Sequence, residues 1–176
     1  MSSGRVMIGL TVLCCWTACA AAQTRQRDPL TPAEIDQLRD TAMDPNERLK
    51  LFVHFARARL VSLEQVRNDP KATDRGQQIH DRLQDFVDIY DELNDNVENF
   101  IDRKEDMRKP LKAVIEADNE FQAKLLALKS AAGVGAKEAG EYRFLLDSAL
   151  EDVSDGVQEH RQLLDEQEQA AKHRKK

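Results

Sequence analysis

Cysteine is confined to one short stretch near the start of this chain. All three cysteines, Cys14, Cys15 and Cys19, lie within VLCCWTACAAAQ, and none follows in the rest of the sequence. The chain after residue 19 therefore cannot form a disulfide, bind metal through thiolates or use a cysteine nucleophile. Disulfide scaffolds and thiol enzymes are excluded for the body of the protein.

Aromatic residues are also scarce, whereas charged residues are abundant. Aromatic side chains make up 5% of the 176 residues and charged side chains 33%, with a formal net charge of −6. This composition is typical of long amphipathic helices rather than of a thick globular core. The negative charge argues against nucleic acid as a global partner, because phosphates repel an acidic surface.

The first 22 residues have the layout of a secretory signal peptide. Arg5 is followed by a run without any charged residue, and Ala20 and Ala22 match an A-x-A cleavage site. The run is too short for a comfortable membrane span, which needs about 20 apolar residues. We therefore expect cleavage before Gln23 and a periplasmic or secreted location.

Cys19 allows a second mode of processing. The stretch WTAC resembles the lipobox of bacterial lipoproteins, in which the cysteine is lipidated and becomes the first residue. Trp16 stands where that motif usually has leucine, so the sequence favours soluble release. A membrane location is expected only if Cys19 is lipidated or the signal peptide stays uncleaved.

Helix signals begin after a polar tether over residues 23–30. Thr31 and Asp44 each precede a proline and are followed three residues later by a glutamate, as in helix N-terminal capping boxes. These signals predict a short helix over 32–42 and a longer one over 45–67. The stretch NDPKATDRG then predicts a loop.

A heptad seam of apolar residues follows. Its phase continues through Pro110, and KEDMRKPLK contains no Gly, Asn or Ser to mark a reversal of direction. The pattern predicts one helix over 74–132 that bends at Pro110, with two separate helices as the alternative. The seam comprises Ile79, Leu83, Phe86, Tyr90, Leu93, Val97, Phe100, Lys104, Met107, Leu111, Val114, Asp118, Phe121, Leu125 and Leu128.

The predicted fold is all-α. Glycines in AAGVGA end the long helix, and a last helix is expected over 137–171. No strand-like alternation appears, so we predict an elongated antiparallel helical bundle with coiled-coil-like packing over residues 31–171, followed by a basic tail over 172–176. Opposite charges favour pairing of the basic helix over 45–67 with the acidic first part of the long helix.

No pattern of catalytic, metal or cofactor chemistry stands out. The acidic residues from Asp81 to Asp106 have helical spacing without the glycine turn of a calcium loop, so we expect a solvated, ion-paired face. His160 and Met107 occupy seam positions, and a bundle that binds haem or metal is an alternative. The favoured interpretation is a polar residue that sets helix register and a core methionine. We therefore expect no enzyme activity and no cofactor.

One short motif resembles a known family. The stretch LTPAE, residues 30–34, is similar to the LTxxQ motif of periplasmic stress proteins and chaperones of the Spy and CpxP type. That resemblance implies a small exported helical protein that binds stressed or unfolded clients.

Together these observations predict a non-enzymatic helical protein of the bacterial cell envelope that acts by protein binding or scaffolding. A periplasmic chaperone is the alternative. Because the neighbouring helices cannot cover the whole of one long helix, its seam near the bend should stay partly open. That open seam predicts a weak homodimer or a partner contact at Phe100, Ile101 and Met107.

Overall fold

Five helices make up the described part of the protein. The computed structural model describes residues 28–132 and 136–173, so the signal peptide expected over 1–22, with Cys19, lies outside the described residues. No strand occurs within the two described ranges, and no helix there is long and apolar enough to cross a membrane. The helices are α1 (Pro32–Asp40), α2 (Pro45–Asn68), α3 (Arg75–Asp102), α4 (Arg108–Ala132) and α5 (Ala136–His173).

The last four helices form an antiparallel bundle. α2 packs against α3 and α4, and α5 packs against the same two helices, so α3 and α4 lie diagonally across the bundle. Each helix runs opposite to the one before it in the chain. α2 and α4 consequently run in the same direction, as shown by the ion pairs that join Arg57 to Glu120 and Glu64 to Lys124. The all-α helical bundle predicted from the sequence is confirmed.

The N-cap residues predicted for the first two helices are confirmed, and the reciprocal capping box is complete at α1, whereas the Asp44 N–H at α2 donates to the Thr41 carbonyl instead of to Glu47. The Thr31 hydroxyl accepts a hydrogen bond from the Glu34 N–H at 3.3 Å, and the Glu34 carboxylate accepts one from the Thr31 N–H at 2.7 Å. Asp44 accepts hydrogen bonds from the N–H groups of Asn46 and Glu47 at 3.0 and 3.1 Å. These bonds satisfy amides that would otherwise lack partners in the first helical turn.

The single bent helix expected over 74–132 is wrong. α3 ends at Asp102 and α4 begins at Arg108, and the chain reverses its direction between them. Phe86 of α3 consequently contacts Phe121 of α4, with ring centroids 5.4 Å apart. Of the two alternatives that the sequence left open, two separate helices is correct.

The reversal is a Schellman motif with lysine at the position that usually holds glycine. Lys104 has a left-handed φ of 62°. Its N–H donates to the Ile101 carbonyl at 2.8 Å, and the Glu105 N–H donates to the Phe100 carbonyl at 3.1 Å. These two bonds end α3 as the motif requires. A side chain in this conformation costs about 1–2 kcal/mol, and no Gly, Asn or Ser reveals the turn in the sequence.

Pro110 lies at the start of a helix instead of bending one. The first hydrogen bond of α4 runs from the Leu111 N–H to the Met107 carbonyl at 2.9 Å. Pro110 therefore occupies the third helical position, where a backbone N–H has no acceptor within the helix. Its missing donor costs little there, and its fixed φ suits the first turn.

The heptad seam forms the core of the bundle. Apolar seam residues of α3 and α4 are at most 3% exposed, and matching faces of α2 and α5 cover them. The largest fully buried side chains are Tyr90, Phe52, Phe86, Phe121, Leu49, Ile79, Leu83, Ile89, Leu93, Met107, Leu111 and Leu125.

The charge pairing expected between α2 and α3 is largely replaced by other partners. The two helices are antiparallel neighbours as predicted, but Arg57 pairs with Glu120 of α4 at 2.8 Å. Arg59 pairs with Glu34 of α1 at 2.6 Å. Two basic side chains of α2 thus pair with other helices. Arg48 stays next to α3, where its Nε donates to Asn96 and the charge of Glu92 partly offsets the lowering of the Arg48 pKa by burial.

Candidate functional site: a buried polar cluster and an acidic face

A polar cluster lies inside the bundle where three helices meet. Asp118 of α4 accepts a hydrogen bond from the Tyr90 hydroxyl of α3, with 3.1 Å between Oη and Oδ1. Its other oxygen, Oδ2, lies 2.8 Å from Nδ1 of His160 on α5. The three side chains are at most 2% exposed. Both oxygens of the buried carboxylate are therefore paired within the protein, and solvent does not reach them.

The heptad pattern explains why these polar side chains point inward. Tyr90 and Asp118 continue the seams of α3 and α4, and His160 continues the seam of α5. The sequence placed these three polar residues at seam positions but did not show the level at which the helices meet. The antiparallel course of α4 relative to both other helices brings the three residues to one level. When the chain is drawn as antiparallel hairpins, these polar seam residues fall at the same level along the bundle. That signal would have predicted the cluster.

Neighbouring residues hold the Tyr90 side chain in place. Its ring stacks on Phe86 at 5.9 Å between centroids and meets the edge of Phe121 at 6.4 Å. Gly156 of α5 faces the hydroxyl, and a Cβ at this position would overlap Oη of Tyr90. The glycine therefore provides the space in which the hydroxyl reaches Asp118.

The electrostatics of the cluster suit a structural role. Burial raises the pKa of the Tyr90 phenol, and the negative charge of Asp118 raises it further, so the phenol stays a hydrogen-bond donor. An aspartate that orients a histidine also occurs in hydrolase triads, but there the histidine contacts an accessible nucleophile. Here the histidine is buried with the aspartate, so the geometry fixes which helix faces meet and does not position a substrate.

A second polar feature lies on the surface where α3 and α5 run side by side. Asp91 is exposed, yet surrounding protein removes part of its water, and this partial desolvation raises its pKa. The negative charges of neighbouring carboxylates, first that of Asp152, raise it further. We call this group the acidic face; it comprises Asp88, Asp91, Glu92, Asp95, Asp152 and Glu159.

The acidic face is not neutralised by close ion pairs. Within the described ranges, none of its six carboxylates lies within 4.0 Å of a lysine or arginine nitrogen. In the same part of the chain, no group of three or more histidine, cysteine, aspartate or glutamate side chains is arranged to hold a metal ion. The ion pairing expected from the sequence is found elsewhere in the acidic stripe, at Asp85 with Arg82 and at Asp106 with Arg108, but among the described residues no pair within 4.0 Å is found at the acidic face.

The interaction surface expected near the bend is not open. Phe100 and Met107 are 2% and 0% exposed, and Ile101 is half-buried. The reason is the reversal at Lys104, which folds the seam of α4 back over the seam of α3. The expectation of an open seam is thus wrong for Phe100 and Met107, while self-association through another surface stays untested.

The structure does not bring together the two residues considered for haem binding. His160 pairs with Asp118, whereas Met107 lies eleven residues before Asp118 in the chain, at the start of α4. Eleven residues correspond to about 16 Å along a helix, which is too far for both side chains to bind one iron.

Comparison with known proteins identifies no relative of this chain. No family model, no curated protein and no solved structure matches it. The LTPAE stretch forms the complete capping box of α1, so a helix start accounts for the resemblance to the Spy and CpxP type.

Proposed function

We propose that this chain is a non-enzymatic protein of the bacterial cell envelope that binds a protein partner through its acidic face. The observation that supports this function is a group of surface carboxylates with no ion pair within 4.0 Å in the described part of the chain. Partial desolvation, and then the negative charges of its neighbours, raise the pKa of Asp91 within this group. Repulsion between like charges destabilises the folded chain. Residues with perturbed pKa values cluster at functional sites. In this proposal a basic partner supplies the opposite charge that the acidic face lacks.

The partner that fits this surface is a basic protein segment. Carboxylates on two parallel helices present negative charge on both sides of one shallow boundary, which suits a run of lysines and arginines. Attraction over this distance speeds association at low salt and weakens as salt is added. Binding should therefore depend strongly on ionic strength.

The location rests on the pattern of residues 1–22. A basic start, an uncharged run and an A-x-A site support export with cleavage before Gln23. Lipid anchoring through Cys19 is the alternative processing route. The intact mass of the protein recovered from cells distinguishes the two, because a diacylglycerol on Cys19 adds mass and retains residues 19–22.

The binding surface can be tested by photo-crosslinking in living cells. A photoreactive amino acid at position 91 should capture a partner that the same residue at position 116 does not, since Glu116 is exposed on α4 away from this face. Reversing Asp91 and Asp152 to lysine should weaken capture at a neighbouring face position by at least tenfold.

A matched control reverses the exposed Glu116 and Asp40 to lysine, which changes the net charge equally. This control should change capture by less than threefold. Equal losses in both variants, or no captured protein in the wild type, would contradict the proposal. Suppression of client aggregation at substoichiometric concentrations would favour the chaperone alternative.

A further inference from the structure

The bundle consists of two helical hairpins joined by one short connection. The first hairpin contains α2 and α3, and the second contains α4 and α5. Residues 103–107 connect them, and we call this segment the hinge. The hairpins meet through the α2/α4 and α3/α5 contacts, and in the interior Tyr90 of the first contacts Asp118 of the second.

The hinge has a conformational cost that a straight helix would not have. Lys104 holds a left-handed φ of 62°, a conformation that is unfavourable for any residue with a side chain. The hinge sequence, RKEDM, contains no glycine or asparagine to adopt that conformation at lower cost. Short hinge segments under strain favour exchange of structural elements between chains.

The heptad phase also continues across the hinge. Val97, Phe100, Lys104, Met107 and Leu111 are spaced alternately three and four residues apart. A helix that ran through the hinge would therefore keep the seams of α3 and α4 on one side. Such a helix, from Arg75 to Ala132, would be about 87 Å long.

We infer that the hinge opens and that two copies of this chain exchange hairpins to form a domain-swapped dimer. In this dimer α3 and α4 form one continuous helix, and the first hairpin of each copy packs on the second hairpin of the other. Every contact between the hairpins re-forms between chains, including the bond from Tyr90 to Asp118. No new surface is needed, and this inference does not depend on the function of the acidic face.

Pro110 opposes the open form and thereby controls the equilibrium. In the closed chain it occupies the first turn of α4, where it lacks no hydrogen bond. In a continuous helix it would lie in the interior, lose a bond to the Asp106 carbonyl and crowd that group. The closed monomer is therefore favoured at low concentration, and replacement of the proline should release the dimer.

The distance between two positions on one chain distinguishes the forms. Gln77 and Ser130 are exposed near the same end of the bundle when the hinge is closed. In the open form 53 residues of continuous helix separate them, which corresponds to about 80 Å. Spin labels attached to non-natural amino acids at these positions report that distance by pulsed electron resonance. The labelled full chain is diluted into unlabelled chain, so that the distance is measured within one copy.

The experiment compares wild type, Pro110→Ala and Lys104→Gly after refolding from denaturant over a range of protein concentrations. Pro110→Ala should lower the dimer dissociation constant at least hundredfold and show the long distance in the dimer fraction. Lys104→Gly should raise the constant at least tenfold, because glycine relieves the closed turn and weakens a continuous helix. Circular dichroism verifies that each variant is folded.

Two outcomes would overturn the inference. One is a chain that stays monomeric with the short distance in all three proteins at every concentration. The other is a dimer in which the distance remains short, since that dimer would form through a different surface with the hinge closed.

Discussion

The polar groups at the centre of the bundle and those at its periphery differ in whether the protein itself relieves their energetic cost. In the centre, Asp118 is fully buried and both of its oxygens have partners. At the surface, partial desolvation and then neighbouring carboxylates raise the pKa of Asp91, and Lys104 holds a conformation that suits glycine. At these positions the unrelieved cost lies outside the core, where a partner or another conformation can remove it.

Substitutions in the two regions should therefore have opposite effects on the stability of the fold. Removal of a central polar group should destabilise the fold, because it leaves a buried charge or donor without its partner. Removal of a peripheral group should stabilise the fold, because the native structure is relieved of repulsion or strain. The sign of each change is therefore as informative as its size.

His160→Ala should have the largest effect. It leaves the Asp118 carboxylate buried with only the Tyr90 hydroxyl as a partner, and removal of one member of a buried pair costs about 3–5 kcal/mol. Urea unfolding followed by circular dichroism measures the loss.

A triple variant provides the control for this prediction. Combining Tyr90→Phe, Asp118→Leu and His160→Leu in one chain should cost far less than His160→Ala, because no unpaired polar group remains in the core. A loss below 1 kcal/mol in His160→Ala would contradict the role assigned to the cluster.

Gly156→Ala should have the next largest effect. Alanine normally favours a helix interior over glycine, but here its Cβ would overlap the Tyr90 hydroxyl. Overpacking of this kind costs about 1–3 kcal/mol. The loss should be smaller in a Tyr90→Phe background, where the hydroxyl is absent, and a double-mutant cycle measures that coupling. Equal losses in both backgrounds would show that the hydroxyl is not the obstacle.

Lys104→Gly should stabilise the closed monomer by about 0.5–1 kcal/mol. Glycine adopts the left-handed conformation without steric cost, and part of the gain is offset by its greater freedom in the unfolded chain. Thermal unfolding at low protein concentration measures the change.

Pro110→Ala at the same concentration should shift the unfolding midpoint little, since Pro110 occupies the first turn of α4 and alanine restores no bond there. A large gain for the alanine variant alone would argue for a continuous helix in the monomer.

Asp91→Asn should give the smallest gain, about 0.5 kcal/mol or less, because solvent screens charges at the surface. The pKa of Asp91 is raised above the ordinary value of 3.8, so the folded chain binds this proton more tightly than the unfolded chain. Its contribution to stability therefore falls as the pH rises from 3.8 through the folded pKa. The stability difference between variant and wild type should grow over that window and shrink in high salt. A difference that does not depend on pH would exclude the electrostatic explanation.

Local signals in the sequence predicted most of the helices. The caps at Thr31 and Asp44 place the starts of α1 and α2, and α5 lies within two residues of its expected bounds. These features depend on residues close together in the chain, and their chemistry is specific to helix ends. The apolar seam likewise predicted which faces of α3 and α4 are buried.

The turn at Lys104 and the cluster at Asp118 depend on information that local patterns do not carry. The packing of two hairpins holds Lys104 in its left-handed conformation, and no residue typical of a turn predicts that conformation from the sequence. The phase across Pro110 is the same for a continuous helix and for a reversal, so periodicity does not choose between them. The pairing of Asp118 with His160 requires the relative level of two helices, which only the folded connections determine.

The two tyrosines limit the stability of this fold at alkaline pH. Burial raises the pKa of both Tyr90 and Tyr142 above the ordinary value of 10.0, so the folded chain retains phenolic protons that the unfolded chain would release. Each rise in pH above about 10 consequently favours the unfolded chain. The phenolate absorbs ultraviolet light differently from the phenol. Unfolding at alkaline pH should therefore be accompanied by a change in ultraviolet absorbance as these two rings ionise.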